Sequence, residues 1–192
     1  MYTFLSLPAA SLLAMGIGLG TPVHAQQKPH SHGSVALDVA IDNQSITIMM
    51  EAPLDNFLGF ERAPRTDAER KQVDALVARL NAAESLFVPD PGSGCTVSQV
   101  TLQSQALGLG TAKSGPPASS KAGKQTAHDE EHADIDATFV FACTGPKQAR
   151  YIDVALFGAF KRIRSIDVQL ATGDGQFKRK LTRSASRLSW GK

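Results

Sequence analysis

The four histidines that follow Ala25 fall into two short clusters, the strongest chemical signal in the sequence. His30 and His32 are two apart, so on an extended chain their imidazoles project to the same side and can reach one cation. The second cluster holds His128 and His132, which can share one helical turn, and continues to Asp134. Two or three imidazoles plus a carboxylate form a ligand set that zinc accepts. The residue types therefore predict a metal site built from these five residues.

Zinc is the expected metal. Copper and nickel are the alternatives, because both also accept imidazole ligands, and copper has the highest affinity of the three. The amino-terminal copper motif needs histidine at the third position, whereas His30 would be fifth in a chain that starts at Gln26. Binding requires neutral imidazoles, so the affinity should fall as the pH drops through about 6.5. Taken alone, each cluster also has a second explanation, in which its side chains are solvated and bind no metal.

No common catalytic motif occurs in the sequence, and we expect that the protein is not an enzyme. A Gly-x-Ser-x-Gly turn, a P-loop and a His-Glu-x-x-His helix are all absent. Base catalysis also has few candidates, since the histidines beyond Ala25 all belong to the clusters.

The segment from Met1 to Ala25 is predicted to be a secretory signal peptide. It contains no Asp, Glu, Lys or Arg, includes an apolar run from Leu5 to Leu19, and ends with Val23 and Ala25 at the positions that signal peptidase reads. The usual basic residue near the start is missing, so an upstream start codon remains open. We expect a periplasmic protein whose mature chain runs from Gln26 to Lys192 and forms one domain.

The expected export determines how we interpret the two cysteines, because thiols pair in an oxidising compartment. Cys95 and Cys143 are therefore predicted to form a disulfide between two antiparallel strands, 95–103 and 135–143. In the predicted register, the numbers of each pair of opposite residues sum to 238, so Gln103 lies opposite Ile135. The connection is rich in Gly, Pro, Ser and Lys without periodicity, which predicts disorder over about residues 104–127.

The remaining patterns predict an α+β fold, mainly antiparallel β-sheet with one main helix. Alternating apolar residues over 34–42 and 46–50 predict a hairpin. A capping box at Thr66 to Glu69 starts a helix that is predicted from Asp67 to Ala83. The apolar loop over 52–65 is expected to pack on the core. Further strands are predicted over 151–156, 163–171 and 176–182 and near 188–190, with a short turn or helix at Phe157 and Phe160.

Charge is unevenly distributed along the chain. Residues 26–144 hold 9 basic and 15 acidic side chains, hence −6, whereas residues 145–192 hold 11 and 3, hence +8. A half-solvated sheet would account for the basic part, and the alternative is contact with an anionic membrane surface or an acidic protein. Nucleic acid is not expected as a partner, because the leader takes the chain away from it.

Several motifs recur in an order that resembles a known family. They are His30 to Gly33 opening a strand, Ala-Pro-Leu-Asp-Asn-Phe-Leu-Gly-Phe-Glu-Arg-Ala-Pro from Ala52 to Pro64, Gly94-Cys95, His132-Ala133-Asp134 leading to Phe141-Ala142-Cys143, Leu156-Phe157 with Phe160, and Gly175-Gln176. In these motifs the chain resembles the ZrgA-like periplasmic proteins linked to zinc uptake. The resemblance spans nearly the whole mature chain, and the Ala52 to Pro64 string is its most specific part.

The resemblance implies zinc binding in the periplasm, in support of an inner-membrane zinc importer or its binding protein. It implies site roles for His30, His32, His132 and Asp134, and less directly for His128. Some members carry a His-rich run before the position of His132, and this chain lacks it, which argues against high-capacity zinc storage.

The leading hypothesis is thus a secreted, disulfide-linked zinc-binding protein. The rival hypothesis is a metal-free envelope interaction module that docks a partner through the 52–64 loop and the basic C-terminal sheet, with Phe57 and Phe60 as binding surface. An enzyme of unnamed reaction comes third. The sequence leaves open the metal, its stoichiometry, the oligomeric state and whether both histidine clusters form one site.

Overall fold

The computed structural model of the chain describes residues 31–110 and 133–190. The predicted leader and His30, His128 and His132 lie outside these ranges, so what the sequence predicts for them stays a prediction. Within the described ranges, no helix has both the length and the apolar character needed to cross a bilayer.

Six strands form a main sheet and three short strands form a second one. Numbered in chain order, the main sheet contains β1 (Ser34–Ile41), β2 (Ser45–Pro53), β4 (Cys95–Gln103), β5 (Asp134–Cys143), β7 (Ser165–Thr172) and β8 (Gly175–Thr182). The small sheet contains β3 (Phe87–Pro89), β6 (Tyr151–Val154) and β9 (Arg187–Ser189), and the helices are α1 (Asp55–Leu58), α2 (Asp67–Asn81) and α3 (Leu156–Ala159).

The main sheet has the spatial order β4-β5-β2-β1-β7-β8, and the small sheet has the order β3-β6-β9. Only the β1–β7 pair is parallel among the described strand pairs. The predicted fold class, α+β with mainly antiparallel sheet and a disulfide, is confirmed. The small sheet, and β3 within it, are features that the sequence analysis did not predict.

One face of the main sheet is buried, as the alternating pattern of β1 predicts. The side chains of Val35, Leu37 and Val39 are at most 3% exposed, while the residues between them face solvent. Helix α2 and the small sheet cover this face, and the ring of Phe87 in β3 lies 5.0 Å from that of Phe139 in β5. Both sheets therefore share one core.

The main helix begins where the sequence predicts and ends two residues early. Thr66 and Glu69 form the full capping box, so the backbone N–H groups of these two residues both have side-chain acceptors. The helix stops at Asn81 because Ala82 leaves helical geometry, and residues Ala83–Ser85 continue as a 3-10 turn. Ala83 is fully buried there, so packing on the core favours the tighter turn.

The disulfide between Cys95 and Cys143 is present, but the predicted register of its strands holds only at that end. Cys95 pairs with Cys143 and Val97 with Phe141, as the sum of 238 requires. A β-bulge at Ser98 then adds one residue to β4, and its hydroxyl donates to the carbonyl of Val140 at 3.0 Å. Gln103 consequently lies opposite Asp136, and its predicted position opposite Ile135 is wrong.

The loop that follows β2 packs on the core, as expected, and contains the unpredicted helix α1. Leu54 is fully buried at its start. Gly59 ends the helix with a φ of 83°, a conformation that other residues rarely adopt. The ring of Phe57 meets that of Phe160 edge to face at a centroid distance of 4.8 Å.

The start of the segment with predicted disorder forms an ordered turn instead. The backbones of Ser104 and Leu109 exchange two hydrogen bonds of 3.0 and 2.9 Å, and the Ser104 hydroxyl donates to the carbonyl of Asp134 at 2.7 Å. Ala106, Leu107 and Leu109 pack partly buried against the core, which favours order over residues 104–110. Residues 111–127 lie outside the described part of the chain.

Replacing Cys95 and Cys143 together with Ala should lower the free energy of unfolding by about 2 to 4 kcal/mol, because the 48-residue separation makes the unfolded loop costly to close. Urea unfolding at neutral pH measures this. Treating the wild type with reductant is the matched control and should give the same loss. Equal stability of the reduced and oxidised wild type would contradict the prediction.

Candidate metal site

Three strands of the main sheet bring their ends together where β1 and β5 start and β2 ends, which we call the site end. Ala36 in β1 and Asp136 in β5 both pair with Glu51 of β2, one on each side. Neighbouring strands are about 4.8 Å apart, so the first residues of β1 and β5 start about 10 Å apart. The chain segments that enter these two strands therefore arrive at the same end of the sheet.

A buried amide holds the start of β1 against helix α1. The side chain of Asn56 is 1% exposed, and its Oδ1 accepts from the backbone N–H of Gly33 at 2.5 Å. Its Nδ2 donates to the carbonyl of Ser34 at 2.6 Å. The oxygen and the nitrogen of the Asn56 side chain are thus both hydrogen-bonded to the backbone at the start of β1. These two bonds fix the position of the neighbouring His32.

Gly33 allows the sharp turn that this contact requires. Its φ of 84° lies in the left-handed region, and a Cβ there would stand 3.0 Å from the side chain of Arg164. Its carbonyl accepts from the backbone N–H groups of Arg164 at 2.7 Å and Ser165 at 3.1 Å. The residue after His32 is therefore fixed from two sides, by α1 and by the segment that enters β7.

The imidazole of His32 lies between two carboxylates. Its Nε2 is 3.2 Å from Oε1 of Glu61, and its Nδ1 is 3.9 Å from Oδ2 of Asp55. The side chain of His32 is 60% exposed, whereas those of Asp55 and Glu61 are 23% and 15% exposed. The site thus combines two shielded carboxylates with one imidazole that solvent reaches.

Arg162 holds Asp55 in place from the other side. Its Nε donates to the backbone carbonyl of Asp55 at 3.0 Å, and its Nη2 donates to the carboxylate Oδ1 at 3.2 Å. The second carboxylate oxygen of Asp55 is the one that faces His32. This division keeps the Asp55 carboxylate oriented toward the imidazole.

Glu61 is positioned by an ion-pair network that joins its loop to helix α2. The guanidinium of Arg62 donates to both carboxylate oxygens of Glu69, at 2.7 and 3.1 Å. The same carboxylate accepts from the backbone N–H groups of Arg65 at 2.5 Å and Thr66 at 3.2 Å. Chiefly because of the hydrogen bonds from Arg62, the pKa of Glu69 is lowered to about 2.

Glu61 also borders an open groove. Its lining includes Asp134 and Asp136 on β5 and the turn over residues 104–110. The backbone N–H of Leu54 donates to the carbonyl of Ala133 at 2.9 Å, which holds the residue before Asp134 against the loop that carries Glu61. Glu61 is therefore near the imidazole of His32 and also lines the groove that contains Asp134.

Among the predicted ligands, His32 and Asp134 are described, and both lie at the site end. His30, His128 and His132 are outside the described residues, so the full ligand set stays a prediction. Phe57 and Phe60, proposed as a binding surface, are half-buried, and Phe60 lies under the Arg62 guanidinium at 4.9 Å. Neither of these two rings is an exposed large hydrophobic side chain.

The sequence analysis missed Asp55 and Glu61 as members of the site. The available signal was the Ala52 to Pro64 string, in which these two are the only acidic residues. Their positions depend on α1 and on the Arg62–Glu69 pair, which local patterns do not reveal.

Two donor atoms among the described residues have a spacing that can be compared with zinc coordination. Tetrahedral zinc with ligand distances of 2.0 to 2.1 Å places neighbouring donor atoms about 3.3 Å apart. The 3.2 Å between Nε2 of His32 and Oε1 of Glu61 matches this separation. Over residues 31–110 and 133–190, no three His, Cys, Asp or Glu side chains form a group that could hold a metal ion. A metal site at this end of the sheet would therefore need ligands from outside these ranges.

Comparison with known proteins gives one family. The model described as "ZrgA family zinc uptake protein" matches residues 29–190, nearly the whole chain. No curated protein matches the chain.

Replacing Asn56 with Ala should lower the free energy of unfolding by about 3 kcal/mol, because Gly33 N–H and Ser34 C=O lose their buried partner. Urea unfolding measures the change. Asn81→Ala is the control, since its amide is exposed and donates only to the preceding helical turn, and it should cost less than about 0.5 kcal/mol. Equal effects of the two substitutions would contradict the stabilising role of the buried Asn56 amide.

Glu69 should make stability depend on pH on the acid side. Its folded pKa of about 2 is below the usual 4.5, so its contribution is complete above pH 4.5 and is lost as the pH falls toward 2. Glu69→Gln should lower the thermal midpoint at pH 7, and the difference from the wild type should shrink between pH 4.5 and 2. Glu84→Gln, at an exposed position, is the control and should show no such convergence.

Proposed function

The chain belongs to the ZrgA family of zinc uptake proteins, and from this premise we propose that it is a periplasmic zinc-binding protein that supports zinc acquisition. The observation that carries the proposal is the pair of donor atoms on His32 and Glu61. Their 3.2 Å separation fits two neighbouring positions of tetrahedral zinc. Neutral imidazole and carboxylate are both ligand types that zinc accepts.

The remaining ligands in this proposal come from the two histidine clusters. His30 is two residues before His32, and His132 directly precedes Ala133, which is hydrogen-bonded to Leu54 at the site end. Because β1 and β5 start about 10 Å apart there, side chains from both clusters can reach one ion. Asp134 and His128 are the further candidates. One site shared by both clusters is therefore favoured over two separate sites.

Asp55 supports the proposal as an orienting residue. Metal-bound histidines usually donate their second ring N–H to a carboxylate, which fixes the tautomer and raises the basicity of the ligating nitrogen. The Asp55 carboxylate lies on the Nδ1 side of His32, while Nε2 faces Glu61. With a proton on Nδ1, the lone pair of Nε2 points to the proposed zinc position.

The exposure of the imidazole suits uptake rather than permanent structural binding. His32 is 60% exposed, so zinc at this position is open to exchange with an acceptor. We propose no enzymatic role, because the sequence contains none of the common catalytic motifs. The partner proposed from the family is an inner-membrane zinc importer or its binding protein, and the periplasmic location rests on the predicted leader.

Replacing His32 with Ala, or Glu61 with Gln, should weaken zinc binding by at least about 100-fold, because loss of an outer-shell partner alone costs 10- to 100-fold. Competition with a chromogenic chelator at pH 7.5 on metal-stripped protein measures the affinity. Glu84→Gln is the matched control for Glu61→Gln and should leave the affinity unchanged. Copper and nickel titrations of the same sample test the metal preference.

Two double variants test whether both clusters belong to the site. His30→Ala with His32→Ala, and His128→Ala with His132→Ala, should each abolish the high-affinity step and leave the thermal midpoint of the metal-free protein unchanged. If both double variants bind zinc as the wild type does, the proposed function is wrong. If only the second pair has no effect, the site contains the amino-terminal cluster alone.

A further inference from the structure

Five basic side chains lie on or next to the segment that joins α3 to β7, and this segment is close to His32. Lys161, Arg162 and Arg164 lie on this segment, and Arg79 of α2 and Arg183 after β8 approach it from outside. We call these five residues the basic patch. Four of the five, all except Arg79, belong to the part of the sequence with net charge +8. The patch lies at the site end of the main sheet, where β7 begins.

Two members of the basic patch have a structural role. Arg79 donates to the carbonyl of Ala159 at 2.8 Å. Arg183 donates to the carbonyls of Phe157, Lys161 and Ile163, the last two at 3.2 and 3.1 Å. Carbonyls at and after a helix end lack helical partners, and these guanidinium groups satisfy them. The segment is therefore held in a defined conformation.

The charges of Lys161 and Arg164 have no comparable explanation. Both residues are exposed, and within residues 31–110 and 133–190 neither side chain has an ion pair. Arg162 pairs with Asp55, the one carboxylate in the described part of the chain that is paired with the patch. Five cations against one carboxylate leave a strongly positive surface.

This surface adjoins the proposed zinc ligands. The backbone N–H of Arg164 donates to the carbonyl of Gly33 at 2.7 Å, so Arg164 is bonded to the residue after His32. Any molecule that exchanges zinc with the exposed imidazole must come close to the basic patch. The charge of that molecule will then affect how fast the two associate, because complementary surface charge raises association rates by about 10- to 1000-fold.

We propose that the basic patch is a docking surface for an acidic protein that exchanges zinc with this chain, an inference that rests on the proposed function. A protein is favoured over a membrane because lipid-binding surfaces usually combine cations with inserted apolar side chains. The exposed large hydrophobic side chains of the described chain are Met49 and Val88, and neither belongs to the patch.

Zinc transfer to two synthetic peptides tests the proposal. Both peptides carry the same histidine ligands, which are flanked by Asp and Glu in one and by Ser and Gln in the other. In stopped-flow experiments at low ionic strength, the zinc-loaded full chain should deliver zinc about tenfold faster to the acidic peptide. Lys161→Glu with Arg164→Glu should remove this preference, and high salt should remove it in the wild type.

The matched control is Lys147→Glu with Arg150→Glu. This pair changes the net charge equally, but it lies after β5, where Gly145 is bonded to Ser93 near the disulfide. The control should keep the preference for the acidic peptide. If the glutamate pair at 161 and 164 fails to fold, Lys161→Gln with Arg164→Gln replaces it, since glutamine keeps most of the carbon chain that contacts Gly33.

The outcomes separate the two proposals. Zinc affinity is measured first, and a wild type that binds no zinc would remove the proposed function and the docking surface together. Normal affinity with an unchanged preference in the 161/164 variant, or an equal loss in the control, overturns the docking surface alone. Binding of the wild type to vesicles of phosphatidylglycerol that the 161/164 variant loses, without any peptide preference, would overturn it in favour of a lipid surface.

Discussion

The buried amide of Asn56 is the interaction on which the site end depends. A β-hairpin fixes the paired parts of two strands, but it does not fix the residues beyond their open ends. Here one side chain from the helix after β2 bonds the backbone at Gly33 and Ser34 and extends the order past the last ladder pair. Because of this contact, His32 is placed beside Asp55 and Glu61 and is not left as a solvated end.

The parts of the fold that the sequence predicts well are those with local causes. The hairpin of β1 and β2 and the capping box at Thr66 follow from residues close in sequence. The pairing of the cysteines follows from the expectation that an exported chain is oxidised. The bulge at Ser98 was missed because it depends on how two distant strands fit. Strand β3 was missed because three residues are too few to show a period.

The residues of the candidate site fall into the same two groups, those with a local sequence signal and those placed by long-range contacts. His32 and Asp134 were predicted because imidazoles and carboxylates at short spacing are visible in the sequence. Asp55 and Glu61 could not be assigned in this manner, since a solvated acidic residue and a shielded one look alike until the loop is folded. Their placement follows from long-range contacts: Arg162 with Asp55 across 107 residues, and the network that anchors Arg62 to helix α2. Predicting such contacts requires the tertiary structure.

The hydrogen bond from the Ser104 hydroxyl to the Asp134 carbonyl lies where the chain leaves β4 and where it enters β5. This hydroxyl–carbonyl bond joins the end of β4 to the start of β5 and adds to the pairing of these two strands. Closing a longer flexible connection is thermodynamically mild, at about 0.6 kcal/mol for each doubling of its length. A longer sequence between β4 and β5 should therefore cost the fold little stability.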